Sequence, residues 1–286
     1  MTHTASLSLT AVAVVLAAIA PSAATPPQQS ILQTLPAASF EVASVKRTDA
    51  AGVQLGIRPP SPGGRFAAAV TARMLIQVAY GYPVALLGNQ IVGGPPWMND
   101  DVFEIAAVAD GSLTEVANGP PTRLFAMIRS LLADRFNLRL HAESRQLPIY
   151  DLVVARADRR PGPKLLPFTG QCAAFDEINR AQSFDRACGF RRVTPTMVTA
   201  RGLTLESLAA QLGFQPDVGR PVRDRTGLSE RFDVELEYVP FAGGAEPASG
   251  VSLFTALREQ LGLELKAATG PVDVLVIDRL DVPTPD

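Results

Sequence analysis

What most restricts the fold of this chain is a match to itself at an offset of about 125 positions, where residues 128–154 lie on 253–279 without a gap. Leu132, Leu138, Leu140 and Ala142 then meet Leu257, Leu263, Leu265 and Ala267. Ser130, Asp134, Ser144, Leu147, Ile149 and Leu152 meet Thr255, Glu259, Thr269, Val272, Val274 and Ile277. Like chemistry recurring in register marks one unit used twice. It says how the chain is built and bears only indirectly on what it does.

The elements within each unit follow from periodicity. Residues 40–46 (FEVASVK), 65–70 and 102–108 alternate and read as strands. Thr71 caps a short helix through Tyr80, with Met74, Leu75, Val78 and Ala79 on one face. Leu124, Met127, Ile128, Leu131, Leu132 and Phe136 keep the three-four spacing of a buried helix face. Residues 138–142 and 147–154 then read as an antiparallel hairpin. The second half repeats this order: a strand at 198–201, a helix capped by Thr204, a strand at 232–238, a helix at 253–261, and strands at 263–267 and 272–277. A half of this size cannot bury both faces of a sheet. The expectation is an α+β fold of two similar halves, each strand-helix-strand-helix-hairpin, with helices on one face of an antiparallel sheet.

The ends and the connection complete the division. Residues 7–19 are apolar apart from Ser8 and Thr10, and Ser22, Ala23 and Ala24 supply small residues for cleavage. About 14 residues is short of the roughly 20 that span a bilayer. Residues 1–24 therefore read as a signal peptide, 25–39 as a flexible leader, 40–155 as the first half, 156–192 as a connector, 193–283 as the second half and 284–286 as a tail. No stable transmembrane span is expected after cleavage. The connector holds the only cysteines, Cys172 and Cys188. In an oxidising compartment they pair, closing a loop of about 16 residues worth roughly 3 kcal/mol. A metal pair would need histidine partners that the segment lacks.

Charge and composition exclude several classes of function. A net charge of −2 gives no global basic field for phosphate backbones, so nucleic acid is not an expected partner. His141 is the only histidine beyond the leading segment, and its alternation with Leu138 and Leu140 turns it away from the core. Gly-x-Ser-x-Gly, Ser-x-x-Lys, His-Glu-x-x-His and the phosphate- and dinucleotide-binding glycine patterns are all missing. No catalytic residue, metal ligand or cofactor is assigned. Carboxylate chemistry needs no histidine, and Asp100, Asp101 and Glu104 gather near the only tryptophan while Asp224 and Asp233 flank the turn of the second half. The competing reading makes these acids turn caps and, with Glu235 and Glu237, a solvated strand face.

For recognition, Trp97 follows Gly93, Gly94, Pro95 and Pro96 on a stiff loop, with Tyr80 and Tyr82 near in sequence. Arg220 and Arg223 lie in a turn that offers cations, one of them neutralised by Asp224. The plainer readings are a ring folded over the sheet edge and a structural turn.

Several stretches resemble a soil-associated, exported protein family of unknown function: 40–46, 94–97 (GPPW), 131–136 (LLADRF), 147–150 (LPIY), 219–222 (GRPV), 224–228 (DRTGL), 232–233, 257–263 (LREQLGL) and 276–278 (VID). They run in order across nearly the whole chain after the leader. The resemblance implies a periplasmic or secreted protein with many paralogues in soil bacteria. It also implies a relative of domains that accompany antirepressor-type membrane peptidases. It carries no catalytic roles. Ser229, Glu230 and Arg231 depart from the small, glycine-containing turn usual in that family. Taken together, the sequence points to an exported envelope module that binds or senses an unknown protein or small ligand, with Trp97, Tyr80, Tyr82, Arg220 and Arg223 as candidate contacts. A carboxylate-based hydrolase of an envelope polymer or peptide, and a structural envelope module, are the alternatives.

Overall fold

The computed structural model describes residues 32, 35–49, 52–58, 63–81, 86–111, 113, 122–173, 188–241 and 250–284. The segment read as a signal peptide lies outside the described residues, as do most of the leader, residues 174–187 and Tyr82.

The chain starts with β1 (Val42–Thr48), β2 (Gly56–Ile57), β3 (Arg65–Thr71) and α1 (Ala72–Tyr80). A 3-10 turn at Gly88–Gln90 leads to β4 (Ile91–Gly93), α2 (Trp97–Asp100), β5 (Val102–Val108), α3 (Thr122–Arg135) and β6 (Arg139–Val154). Then come β7 (Leu165–Pro167), β8 (Gly189–Thr194), β9 (Met197–Leu203), α4 (Leu205–Gly213), β10 (Val222–Asp224) and β11 (Phe232–Glu237). Last are α5 (Leu253–Ala256), a π turn at Leu257–Leu261, and β12 (Leu263–Arg279). The range read as a connector thus carries β7 and the first residues of β8.

The strands form three four-stranded sheets, ordered β1-β5-β3-β2, β10-β6-β12-β4 and β7-β11-β9-β8. The first and last are antiparallel throughout. The central sheet is mixed, because β10 runs parallel to β6 and β4 parallel to β12. The fold is α+β, but the expectation of a purely antiparallel sheet fails there.

The expected hairpins do not form either. Residues 139–154 are one strand, residues 263–279 another, and the two pair with each other antiparallel along almost their whole length. The prolines that look like breaks are placed so as not to break the ladder. Tyr150 donates its N–H to Pro221 O and Leu152 O accepts from Arg225 N, so even-numbered residues of β6 direct their backbone groups away from β12. Pro148 is one of these, and Pro271, opposite Gln146, is its counterpart on β12. Each lacks an N–H on the outer side of a stretch that no third strand covers, where its loss costs no ladder bond.

One face of this ladder feeds two cores. Leu275 and Ile277 join α1, α3 and the first outer sheet through Leu75, Ile76, Met127, Leu132, Phe103 and Phe136. Leu263, Leu265 and Leu152 join α4, α5 and the last sheet through Leu208, Leu212, Phe232, Leu236 and Leu257. The opposite face carries a small apolar group of Ile149, Val272 and Val274, with Leu147, Val276 and Val92 around it.

The helices form where side-chain caps and apolar spacing agree. Thr71 Oγ accepts from Met74 N at 3.2 Å and Thr204 Oγ from Ser207 N at 3.3 Å. All six apolar residues assigned to the face of α3 or its end are buried. In α1 the buried set is Ala72, Leu75, Ile76 and Ala79, whereas Met74 is exposed, so the face turns by one residue from expectation. Cys172 and Cys188 are disulfide-bonded, with Cα atoms 5.2 Å apart. Gly202, at φ +56°, lies against this bridge, and a Cβ there would stand 2.5 Å from Cys188 Sγ.

Candidate functional site

The residues singled out for recognition fall into two groups. Arg220 and Arg223 flank the start of β10. This stretch is a strand beside β6 rather than the expected turn, because the outward backbone groups of Tyr150 and Leu152 pair with it. The Arg220 guanidinium stacks on the Tyr150 ring at 4.8 Å, and Tyr150 meets Phe254 edge-on at 5.9 Å. Arg223 pairs with Asp151 through two bonds, of 2.9 and 3.1 Å. Tyr150 and Asp151 are consecutive strand residues, so the two arginines engage opposite faces of the central sheet. Asp224 neutralises neither of them: its Oδ1 accepts from the N–H and Oγ of Thr226, each at 2.8 Å, which closes a local turn around a buried threonine.

Trp97 and Tyr80 belong to the other lobe. Trp97 opens α2 instead of projecting from a loop, and its half-buried ring packs edge-on to Phe103 with centroids 5.9 Å apart. Arg73, near the start of α1, ties that end to α2 through Asn99. Tyr80 closes the far end of α1, under the Arg129 guanidinium at 4.5 Å. Burial raises the Tyr80 phenol's pKa, and Arg129 partly offsets the shift. Arg129 also donates to Ala79 O at 2.8 Å. Trp97 thus sits in the short helix tied to the start of α1 and Tyr80 at the end of α1, while Arg220 and Arg223 engage opposite faces of the central sheet.

Several of the acids have local partners. Asp101 Oδ1 accepts from Arg47 at 2.7 Å, in a groove of about 450 Å³ that Asp49 and Asp100 also line. Asp101 Oδ2 is buried without a hydrogen-bond partner among the described residues. Asp233 Oδ1 accepts from Gly202 N at 2.9 Å, and Glu235 pairs with Lys164 at 2.9 Å. Among the described residues, no three of His, Cys, Asp and Glu are grouped so as to hold a metal ion.

One dense polar network is not announced by the sequence. His141 Nδ1 lies 2.9 and 3.0 Å from the two Asp278 oxygens, and its Nε2 lies 3.1 Å from Glu143 Oε1. Arg145 donates to the other Glu143 oxygen at 2.8 Å. The hydrogen bonds to Asp278 and then Glu143 raise the imidazole's pKa, while Arg145 and then His141 lower that of Glu143. A neutral imidazole has one N–H and can satisfy only one of two flanking carboxylates, so protonation strengthens this arrangement. The i, i+2, i+4 spacing of His141, Glu143 and Arg145 is visible in the sequence, but Asp278 arrives only through the pairing of β6 with β12. In the second lobe, the buried Tyr238 hydroxyl donates to Gln215 at 2.6 Å, and desolvation followed by the nearby Asp217 charge pushes its pKa up to about 12.

These features define an α+β chain whose two lobes share a mixed central sheet, with polar clusters at the strand edges and no assigned chemistry. The chain belongs to the family described as protein of unknown function (DUF3738), whose model matches residues 73–280. No curated protein and no solved structure matches it. No helix among the described residues is long and apolar enough to cross a membrane.

Proposed function

We propose that this chain is an exported binding or sensing module of the bacterial envelope and does not catalyse a reaction. The observation that carries this reading is at His141. Both ring nitrogens of the one histidine beyond the leading segment stand against carboxylates, which leaves neither to act as a base. The occupation of Asp224 and Asp233 by Thr226 and Gly202 points the same way. The ligand surface in this reading is the β10 side of the central sheet, with Arg220 on Tyr150, and the rim at Trp97. The disulfide, the apolar leading segment and the resemblance to exported soil proteins support an address in the periplasm or outside the cell.

The same reading takes the chain as one unit used twice. Setting β1, β5, β3 and β2 against β7, β11, β9 and β8 gives the same sheet order, and β10 stands beside β6 as β4 stands beside β12. The alternative of a carboxylate-based hydrolase draws on one observation, the unpartnered Asp101 Oδ2 beside the groove of Asp49 and Asp100.

The test is mass spectrometry of the natively exported protein, intact and after gentle co-purification. The expected result is an N-terminus near Thr25, a mass lower by the two hydrogens of one disulfide, and an envelope partner retained by wild type and lost on Arg220→Ala or Trp97→Ala. A retained Met1 with free thiols would overturn the address. A partner held equally by both variants would overturn the surface, and turnover of an envelope polymer abolished by Asp101→Asn would hand the function to the hydrolase.

A further inference from the structure

Among the described residues, the sixteen-residue strand β6 is covered by β10 only at Tyr150–Leu152. Its ladder to β12 keeps one register from Leu140 to Val154, so Leu140, Ala142, Ser144 and Gln146 point their N–H and C=O groups outward, as Tyr150 and Leu152 do. No hydrogen-bond partner meets those groups among the described residues, and Ala142, Ser144 and Gln146 are exposed. The matching stretch of β12 is guarded, since Pro271 has no N–H and the Gln90 side chain takes the Asp273 carbonyl at 3.2 Å. Between Leu140 and Gln146, β6 has no proline, lysine or bulge to blunt its edge.

The side chains along this edge are self-complementary. Glu143 and Arg145 flank Ser144 and project on the same face, opposite to that of Ser144. If a second copy is laid antiparallel with a two-fold axis at Ser144, outward groups face outward groups. Ser144 then opposes Ser144 of the second copy, and Ala142 opposes its Gln146. In the closely spaced, non-hydrogen-bonded pairs between them, Glu143 stands across from Arg145 of the second copy, and Arg145 across from its Glu143. A register shifted by one position about Glu143 would set like charges opposite each other. Charge thus selects the pairing about Ser144. This pairing needs only residues 141–147 of each chain, which fit on the open stretch short of Pro221.

We propose that the 142–146 edge of β6 is a self-association site, where two copies join by antiparallel strand addition about Ser144 into one continuous sheet. The contact is isologous, so it closes at a dimer. About six backbone hydrogen bonds on so short a strip fall below the roughly 1,000 Å² of a stable interface, so the dimer is weak and concentration-dependent.

Sedimentation velocity from about 10 µM to about 1 mM spans the affinities such a strip can have. The wild type should move toward twice the monomer mass with rising concentration. Ser144→Pro removes an outward N–H that no described residue of the monomer uses, at a position of the same kind as Pro148, and should weaken association at least about tenfold with the thermal midpoint nearly unchanged. Glu143→Arg should weaken association likewise by setting arginine against arginine, with a small loss of monomer stability because it also removes the bonds of Glu143 to His141 and Arg145, and Glu143→Arg with Arg145→Glu should restore association to within about threefold of wild type. Should Ser144→Pro fail to fold, the charge pair decides alone. A wild type that stays monomeric throughout, or variants that associate as it does, would overturn the proposal. So would a monomer whose edge amides gain exchange protection only with a foreign extended peptide, which would give the edge to a different occupant.

Discussion

The helix that leads into β6 and the helix that leads into β12 carry apolar residues at matching positions, Ile128, Leu132 and Phe136 against Leu253, Leu257 and Leu261, and they end differently. α3 stays α-helical for fourteen residues and closes with Phe136 and Leu138 both donating to Leu132 O, around Asn137 at φ 48°. Its counterpart opens into a π turn after Ala256 and closes on Gly262 at φ 68°, whose N–H reaches back to Leu257 O. The carbonyls of Gln260, Leu261 and Gly262 accept from Lys164, Gly162 and Ala155 at 2.8, 2.8 and 2.9 Å. The first end has one comparable tie, Asp281 N to Phe136 O at 2.8 Å. A helix terminus leaves carbonyls without partners, and what waits outside to satisfy them decides how the last turn winds. The second lobe has the segment after β6 waiting there, and the first lobe does not.

The comparison is broken most strongly in the two cores. Leu132 and Leu257 match at the 125-position offset and both are fully buried. Leu132→Ala and Leu257→Ala should each cost about 2–5 kcal/mol. Because the two cores share β6 and β12, either change should lower a single unfolding midpoint. Calorimetry showing two separate transitions, each sensitive to one variant, would mean that the lobes fold apart. The next test separates the helix ends. A Cβ on Gly162 would stand 2.4 Å from Gln260 O and 2.5 Å from Gly262 N, both backbone atoms that cannot turn aside. Gly162→Ala should therefore cost about 1–3 kcal/mol. Asn137→Gly, at the left-handed residue of the first end, should change stability by less than about 1 kcal/mol in denaturant melts. If the two substitutions cost the same, the extra backbone ties of the second end do not matter.

The helices were legible in the sequence because their signal is local. Six apolar residues at three-four spacing place α3, and threonine caps place the starts of α1 and α4. The central sheet was not legible for the opposite reason. Pro148, Gly270 and Pro271 carry the local chemistry of turns, and the partner that keeps their strands extended lies more than a hundred residues away (Leu140 against Ile277, for example). Alternation places β1, β3, β5, β9 and β11, whereas β2, β4, β7 and β10, of two or three residues each, are too short to show a period, and β8 begins inside the range read as a connector. The candidate site suffered likewise. Arg220 and Arg223 stand out as cations, but that one stacks on Tyr150 and the other pairs with Asp151 depends on which strand β10 joins.

The smallest expected effect distinguishes the two ends of the central ladder. At one end, His141 on β6 bridges to Asp278 on β12; at the other, an arginine, Arg223, holds Asp151. A histidine whose pKa is higher in the folded chain than the ordinary value of about 6.5 adds stability that is fully present below that value. The contribution is lost as pH rises through the folded pKa. Glu143, held low by Arg145 and then His141, behaves in the reverse sense, and its contribution is lost as pH falls below the ordinary carboxylate range. The network is therefore strongest between about pH 4.5 and 6.5, and because its groups are exposed, salt weakens it. Amide exchange, corrected for intrinsic rates, should show residues 274–279 loosening relative to 263–268 as pH is raised from about 6 to 8. His141→Gln should remove that difference, and an NMR titration should place the His141 pKa above its ordinary value. Equal loosening at both ends would mean that the imidazolium does not hold the strands. The polarity between them would then have to come from the flanking strands β4 and β10, which pair with β12 and β6 at opposite ends of the ladder.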